Sequence, residues 1–254
     1  RRQKEWTPNA SLNHWTKHRM TSIFAPELLQ SRSREDKLPV PRNSRILLRP
    51  IQRNVTSSGT IQFIPFQAYP EPPKGPHLQF PDVVFSPTLG TTRLFYKAIA
   101  QAVASAGYIV VSIDHPYDAE FLEFPDGSIV TVANITDAQV PLGVNNRARD
   151  VSFVLDQLST KLEVALLPGT GAPDLKARRV AIYGYSVGGA AAAEPVRLDC
   201  RVVAGANLDG SMFGPVVQRG IRGPFLLPGH KNKTQTTDPS WAEFWSTLGV
   251  GNWS

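Results

Sequence analysis

The chain has little of what usually narrows a fold from outside. It holds one cysteine, Cys200, in 254 residues. A single thiol excludes an intrachain disulfide, so no disulfide framework carries this fold. No apolar run approaches the roughly 18 residues that a membrane-spanning helix needs. No internal repeat is present, which sets aside solenoids and propellers. Charge is modest, with 19% charged residues against 41% hydrophobic. That is the composition of an ordinary globular protein, and the length suffices for one large α/β domain.

The net charge of +6 is unevenly placed. Residues 1–50 carry 11 Lys+Arg against 4 Asp+Glu, a net of +7. Residues 51–254 carry 16 against 17, a net of −1. The chain therefore divides into a basic N-terminal arm with a first strand, 1–50, and a near-neutral main domain, 51–254. A nucleic-acid binder needs a basic face on a folded domain, interleaved with aromatics. Here the basic charge sits on the arm, so no nucleic-acid partner is expected. The arm reads as a solvated segment that leaves room for contact with an anionic lipid surface.

Five N-x-S/T sequons stand at Asn9, Asn54, Asn134, Asn232 and Asn252. Ten Asn and 34 Ser+Thr would give roughly 1.3 by chance, if residues were placed at random. The excess favours a secreted, glycosylated protein over an intracellular one.

Along the chain, Met20 to Phe24 reads as an early strand, and residues 31–45 as charged loop. Seven prolines between 50 and 81 impose irregular backbone. A regular pattern follows. Asp82-Val83-Val84-Phe85 is a buried-type strand. Thr92 to Ala106 carries apolar residues at 94, 95, 98, 99, 102 and 103, a helical stripe stopped by Gly107. Tyr108 to Ile113 is a second buried strand. Pro125-Asp126-Gly127 is a turn between two short runs. Asn145 to Leu158 is an amphipathic helix with Val151, Val154, Leu155 and Leu158 on one face. Residues 167–174 form a Pro/Gly loop. Arg201 to Leu208 and Phe225 to Leu227 are strands, and Trp241 to Leu248 is a helix. Continuous apolar strands alternating with helices predict an α/β fold, with a mostly parallel sheet covered on both faces.

Gly184-Tyr185-Ser186-Val187-Gly188 reads G-x-S-x-G. Arg179 to Tyr183 before it is of strand type, and Gly189 to Glu194 after it starts a helix closed by Pro195. The five-residue pattern is common; this context gives it weight. A strand turning sharply into a helix exposes Ser186 above the helix N-terminus, where negative charge is favoured. A serine needs a base and an orienting acid, and on this fold they follow in the order Ser, Asp or Glu, His. Asp209, 23 residues after Ser186 at the end of the next strand, is the candidate acid. The oxyanion donors are expected from the N–H of Val187 and from the Ser86–Gly90 loop. Of the five histidines, 14, 18, 77, 115 and 230, only His230 follows Asp209, so chain order alone makes it the candidate base, ahead of His115. His115 follows a strand but precedes the serine.

Six segments together resemble the plasma-type platelet-activating factor acetylhydrolase family, especially its secreted fungal relatives. They are Phe85-Ser86-Pro87-Thr88-Leu89-Gly90 with Arg93 to Tyr96, Ala104 to Val111, Asp114-His115-Pro116-Tyr117-Asp118, Phe124 to Gly127, Gly184 to Gly189, and Leu208-Asp209-Gly210. The resemblance covers roughly residues 80–250 and implies an α/β-hydrolase. It implies cleavage of short or oxidised acyl esters, a small-molecule or lipid ester as partner, and no metal or cofactor. It assigns the nucleophile to Ser186, the acid to Asp209, and the oxyanion donors to Leu89 and Val187. Relatives often have Gly where Thr88 stands. They also carry the catalytic histidine several dozen residues after the acid, which here falls beyond Ser254. On that basis His115 is a structural loop residue and His230 lies outside the triad. Two other readings share the scaffold: a non-catalytic binding protein, and a polyester or cutin hydrolase with an open cleft.

Overall fold

The computed structural model describes residues 21–24, 80–124, 127–159, 179–221 and 223–248. The basic arm, the loops at 31–45 and 167–174, the proline-rich stretch up to 79, and Asn9, Asn54, Asn252, His14, His18 and His77 lie outside the described residues.

Strands β1 (Thr21–Phe24), β2 (Asp82–Ser86), β3 (Ile109–Ile113), β6 (Val180–Tyr185), β7 (Val202–Leu208) and β8 (Phe225–Leu226) form one sheet in the order β1-β3-β2-β6-β7-β8. All neighbours pair in parallel except β1, which runs antiparallel to β3. Strands β4 (Phe121–Glu123) and β5 (Ile129–Thr131) make a separate antiparallel hairpin. Between its strands, Gly127 N–H donates to Phe124 O at 2.9 Å.

The helices are α1 (Lys97–Ser105), α2 (Val140–Leu158), α3 (Val187–Leu198), α4 (Val216–Arg219) and α5 (Pro239–Thr247). Period-two alternation sorts the strand side chains between two layers. Val83, Phe85, Val110 and Tyr183 pack with Ala100 and Ala104 of α1. Val84, Val111, Ile113 and Ile182 face the other way, in one core with Val151, Val154 and Leu155 of α2, Ala192 and Ala193 of α3, and Trp241 and Phe244 of α5. Helices therefore cover both faces, as the continuous apolar strands require.

Two expectations need correction. The buried face of α1 is Ala100 and Ala104, with Tyr96 and Val103 packed beside them, whereas Phe95 is 71% exposed and Ile99 is exposed. Residues 93–96 form a 3₁₀ turn, whose period differs from that of the helix, so the stripe through 94 and 95 does not continue into α1. Alanines win the inner positions because they let the helix lie close to the sheet. Pro195 also does not close α3, which runs three residues further to Leu198. Pro195 lacks the N–H that would reach Ala191 O, yet its own carbonyl accepts from Asp199 N at 2.9 Å and the turn continues.

Phe85, fully buried, meets Tyr96 and Tyr183 at ring-centroid distances of 4.9 and 4.8 Å. Phe85→Ala should destabilise the fold by about 3–5 kcal/mol through lost burial and an incompletely filled cavity. Urea midpoints at constant m-value measure this; a loss below about 1 kcal/mol would mean that this face collapses around the gap.

Candidate active site

β2 passes to β3 on one side, and β6 lies on its other side, so strand order reverses between β2 and β6. Open parallel sheets bind ligands in the crevice at the carboxyl ends of such strands. The loop after β2 and the turn after β6 both open there.

Ser186 links β6 to α3 with φ 54° and ψ −122°, a conformation costly for any residue with a Cβ. Its N–H donates to Leu208 O at 2.8 Å, and its carbonyl accepts from Ala190 N at 3.0 Å in the first turn of α3. Ser186 stands at the N-cap position, yet its side chain makes no capping hydrogen bond. The half-buried hydroxyl is thereby left for other use. The turn is this tight because Gly184 and Gly188 have no side chains. A Cβ on Gly184 would collide with the Gly188 backbone, and a Cβ on Gly188 would land on the carbonyl oxygens of Ser86 and Pro87. The start of α3 therefore lies directly against the end of β2.

This contact sets the two oxyanion candidates. Val187 is the first residue of α3, so its N–H has no intrahelical acceptor. Leu89 sits in the loop after β2, where among the described residues nothing accepts from its N–H. Gly90, with φ 80°, anchors the loop: its N–H donates to Asp118 O at 2.9 Å, and its carbonyl accepts from Glu120 N at 3.3 Å. Arg93 then binds the Asp114 carboxylate through its N–H at 2.6 Å and through its guanidinium.

Asp209 follows β7, one strand beyond β6, also with positive φ (64°). The Asn207 side chain bridges the turn, accepting from Gly210 N at 2.8 Å and donating to Gly210 O at 2.7 Å. A Cβ on Gly210 would land on the Ser186 carbonyl, so the acid turn and the Ser186 turn are packed together. The Asp209 carboxylate, 27% exposed, accepts at Oδ1 from His230 twice: from the backbone N–H at 3.0 Å and from ring Nδ1 at 2.6 Å. The backbone bond, aided by the ring and opposed by partial burial, holds Asp209 below the usual carboxylate range. It is ionised at neutral pH.

The sequence-predicted residues thus gather at the carboxyl ends of the parallel strands: Ser186, Val187 and Leu89 around one contact, Asp209 beside it. By chain order His230 was a candidate base, and the resemblance set it outside the triad; the structure joins it to Asp209. Its ring is 62% exposed, and no hydrogen bond links it to Ser186 among the described residues. His115 is structural as expected, but it lies at the centre of a buried network that the sequence did not announce. It bonds Ser86 at 2.9 Å and Asp150 at 2.8 Å. Asp150 and Arg147, a helical turn apart on α2, were legible only as charged residues placed on the inner face of an amphipathic helix.

A parallel sheet covered on both faces, with a strained serine between β6 and α3 and an aspartate after β7, defines an α/β-hydrolase. Residues 60–121 match the family model described as platelet-activating factor acetylhydrolase, isoform II. A probable 1-alkyl-2-acetylglycerophosphocholine esterase of Arthroderma benhamiae is 35% identical over 176 residues, 66% of this chain and 42% of that protein. A solved ferulic acid esterase from Streptomyces cinnamoneus is similar at 36% identity with a TM-score of 0.57, over 67% of this chain and 48% of the other. The family model and the fungal relative both point to similarity with the platelet-activating factor acetylhydrolase family, and the chain spans less than half the length of either of these two relatives.

Gly188→Ala tests the geometry. The added methyl must push the β2 loop away from α3, so kcat of the full-length protein should fall at least about 100-fold, the cost of losing one oxyanion donor. Retained turnover would show that the two segments need not touch.

Proposed function

We propose that the protein is a serine carboxylic-ester hydrolase that cleaves short or oxidised acyl esters of phospholipids or esters of similar shape. One observation carries this reading: Ser186 is held at φ 54° over a helix N-terminus, uncapped, with a carboxylate one strand away. Strain of this kind persists only where the surroundings enforce it.

In this mechanism the Ser186 hydroxyl attacks the ester carbonyl and passes its proton to an imidazole. The carbonyl oxygen becomes an oxyanion facing the N–H groups of Val187 and Leu89. The imidazolium returns the proton to the leaving alcohol, and water then releases the acid from the acyl-enzyme. Asp209 orients the imidazole and stabilises its charge. We assign the base to an imidazole other than that of His230. His230 puts both of its donors on the single oxygen Oδ1, which makes it a clamp on the carboxylate and leaves Oδ2 for a second imidazole. The 2.6 Å ring contact also favours a second reading, in which His230 is itself the base.

Hydrolysis of a short-chain phosphatidylcholine by the full-length protein decides between them. Ser186→Ala should abolish turnover, and Asp209→Asn should lower kcat by about 10⁴. His230→Gln should cost about tenfold or less, a positioning effect. Loss in His230→Gln equal to that in Ser186→Ala would make His230 the base, and unchanged turnover in Ser186→Ala would leave only a binding role for the scaffold. Tyr185, exposed beside the nucleophile and 6.0 Å from the Tyr96 ring, offers an aromatic surface to an acyl group. Feruloyl and polyester substrates belong in the same assay; higher kcat/KM on either would replace the phospholipid assignment.

The sequons support secretion with N-linked glycans, and Asn134 and Asn232 stand on exposed loops, as acceptors must. Endoglycosidase treatment of the protein from its native source should raise its mobility, and Asn134→Gln or Asn232→Gln should each remove one step. An unchanged band would argue against this route.

A further inference from the structure

Beneath the β2 loop lies a second serine–histidine–aspartate array, distinct from Ser186. Ser86 ends β2, His115 follows β3, and Asp150 and Arg147 project from α2. Their exposures are 0%, 2%, 1% and 2%, so substrate cannot reach this serine. The Asp150 carboxylate can only accept, which puts the His115 proton on Nδ1, 2.8 Å away. Nε2 of the neutral ring then accepts from the Ser86 hydroxyl at 2.9 Å. Arg147 Nη1 donates to Ser86 Oγ at 3.3 Å and to Pro87 O at 2.5 Å, while Nε donates to Asp118 Oδ2 at 2.5 Å. Asp118 in turn accepts at its backbone carbonyl from Gly90 N.

The loop is therefore gripped at Ser86, at Pro87 and at Gly90. Between these points sits Leu89. The same Ser86 and Pro87 carbonyls are the ones that Gly188 packs against. The grips at Ser86 and Pro87 are buried, so water cannot substitute for a lost partner there without disturbing the loop.

We infer that Asp150, His115, Ser86 and Arg147 form a positioning network that fixes the Leu89 N–H for the oxyanion and thereby tunes kcat without touching substrate. The inference rests on the reading of Ser186 as nucleophile. A network of this kind acts on the transition state more than on the bound ester, because only the oxyanion needs the donor at its full strength.

The test is Ser86→Ala in the full-length enzyme, a change that removes one buried oxygen and adds no bulk. Expected is a 10- to 100-fold fall in kcat, bounded by about 10²–10³ for losing a whole oxyanion donor, with KM within about threefold. Affinity for a trifluoromethyl ketone transition-state analogue should fall in parallel with kcat/KM, while inhibition by the product carboxylic acid stays unchanged. Arg147→Lys, which keeps the charge beside Asp118 but loses the forked grip on Pro87 and Ser86, should move the same quantities in the same direction and serves if Ser86→Ala does not fold. Wild-type kcat and analogue affinity in a folded variant would overturn the inference alone. Equal losses for analogue and product would overturn it too, since they mark a general disturbance of the site. A wild-type protein without Ser186-dependent turnover would overturn the functional reading and this inference with it.

Discussion

The contact between the first turn of α3 and the last residues of β2 governs this site. Gly188 meets the Ser86 and Pro87 carbonyls with no room for a methyl group. That approach fixes the angle at which the chain leaves β6, and the angle forces Ser186 into positive φ. Strain of about 1–3 kcal/mol is the usual size of such a conformation, and it must be covered by neighbouring interactions. Here the neighbours are identifiable: β6 is paired on both sides, Leu208 O takes the Ser186 N–H, and α3 starts at once on the Ser186 carbonyl. The strained residue sits between a strand paired on both sides and a buried helix.

Asp209 is held from much further along the chain. Asp238 caps α5, accepting from Ser240 N at 2.9 Å, and its other oxygen accepts from the Ser211 hydroxyl at 2.6 Å. Lys233 reaches both Asp238, at 2.8 Å, and Ser211, at 3.0 Å. Burial works against the Asp238 charge, but the Lys233 bond and the two hydroxyls overcome it and hold the carboxyl well below its usual range. Trp241 then donates its ring N–H to Gly210 O at 2.6 Å. One helix cap thus ties α5 to the two residues after Asp209. The packing of Trp241 and Phe244 into the core makes that tie rigid.

Much of this architecture was legible in the residues because strands and helices here follow simple patterns. Buried strands read as continuous apolar runs, and the helix at 145–158 shows its inner face at Val151, Val154, Leu155 and Leu158. The elbow reads from its two glycines. What stayed hidden depended on contacts between distant segments. The close packing of α1 through Ala100 and Ala104 has no hydrophobic signature, since alanine is common everywhere. Pro195 reads as a stop because local backbone rules say so, yet the helix continues where its later carbonyls find donors. The pairing of His230 with Asp209 depends on β8 lying next to β7, which no local pattern encodes. The burial of Arg147 and Asp150 requires that α2 cross over the ends of β2 and β3, again a matter of topology.

Among the described residues, Ser86 is bonded to an imidazole and a carboxylate, while Ser186 lies one strand from the Asp209–His230 pair, and burial and charge separate the two serines. A general base must become positive in the transition state. His115 is poorly suited to that: burial first, and the Arg147 guanidinium second, hold its pKa well below the ordinary histidine value. Charging it would cost stability in so deeply buried a site. The same features suit a fixed hydrogen-bond relay, in which the ring must stay neutral, donate at Nδ1 and accept at Nε2. Around Ser186 the conditions are reversed. Ser186 is only half-buried, and Asp209 is partly solvated and ionised, so a positive imidazole formed beside it gains a counter-charge. The order of atoms in a Ser–His–Asp chain is therefore a weak guide to catalysis; which member can acquire charge, and whether an ester can reach the hydroxyl, decide it.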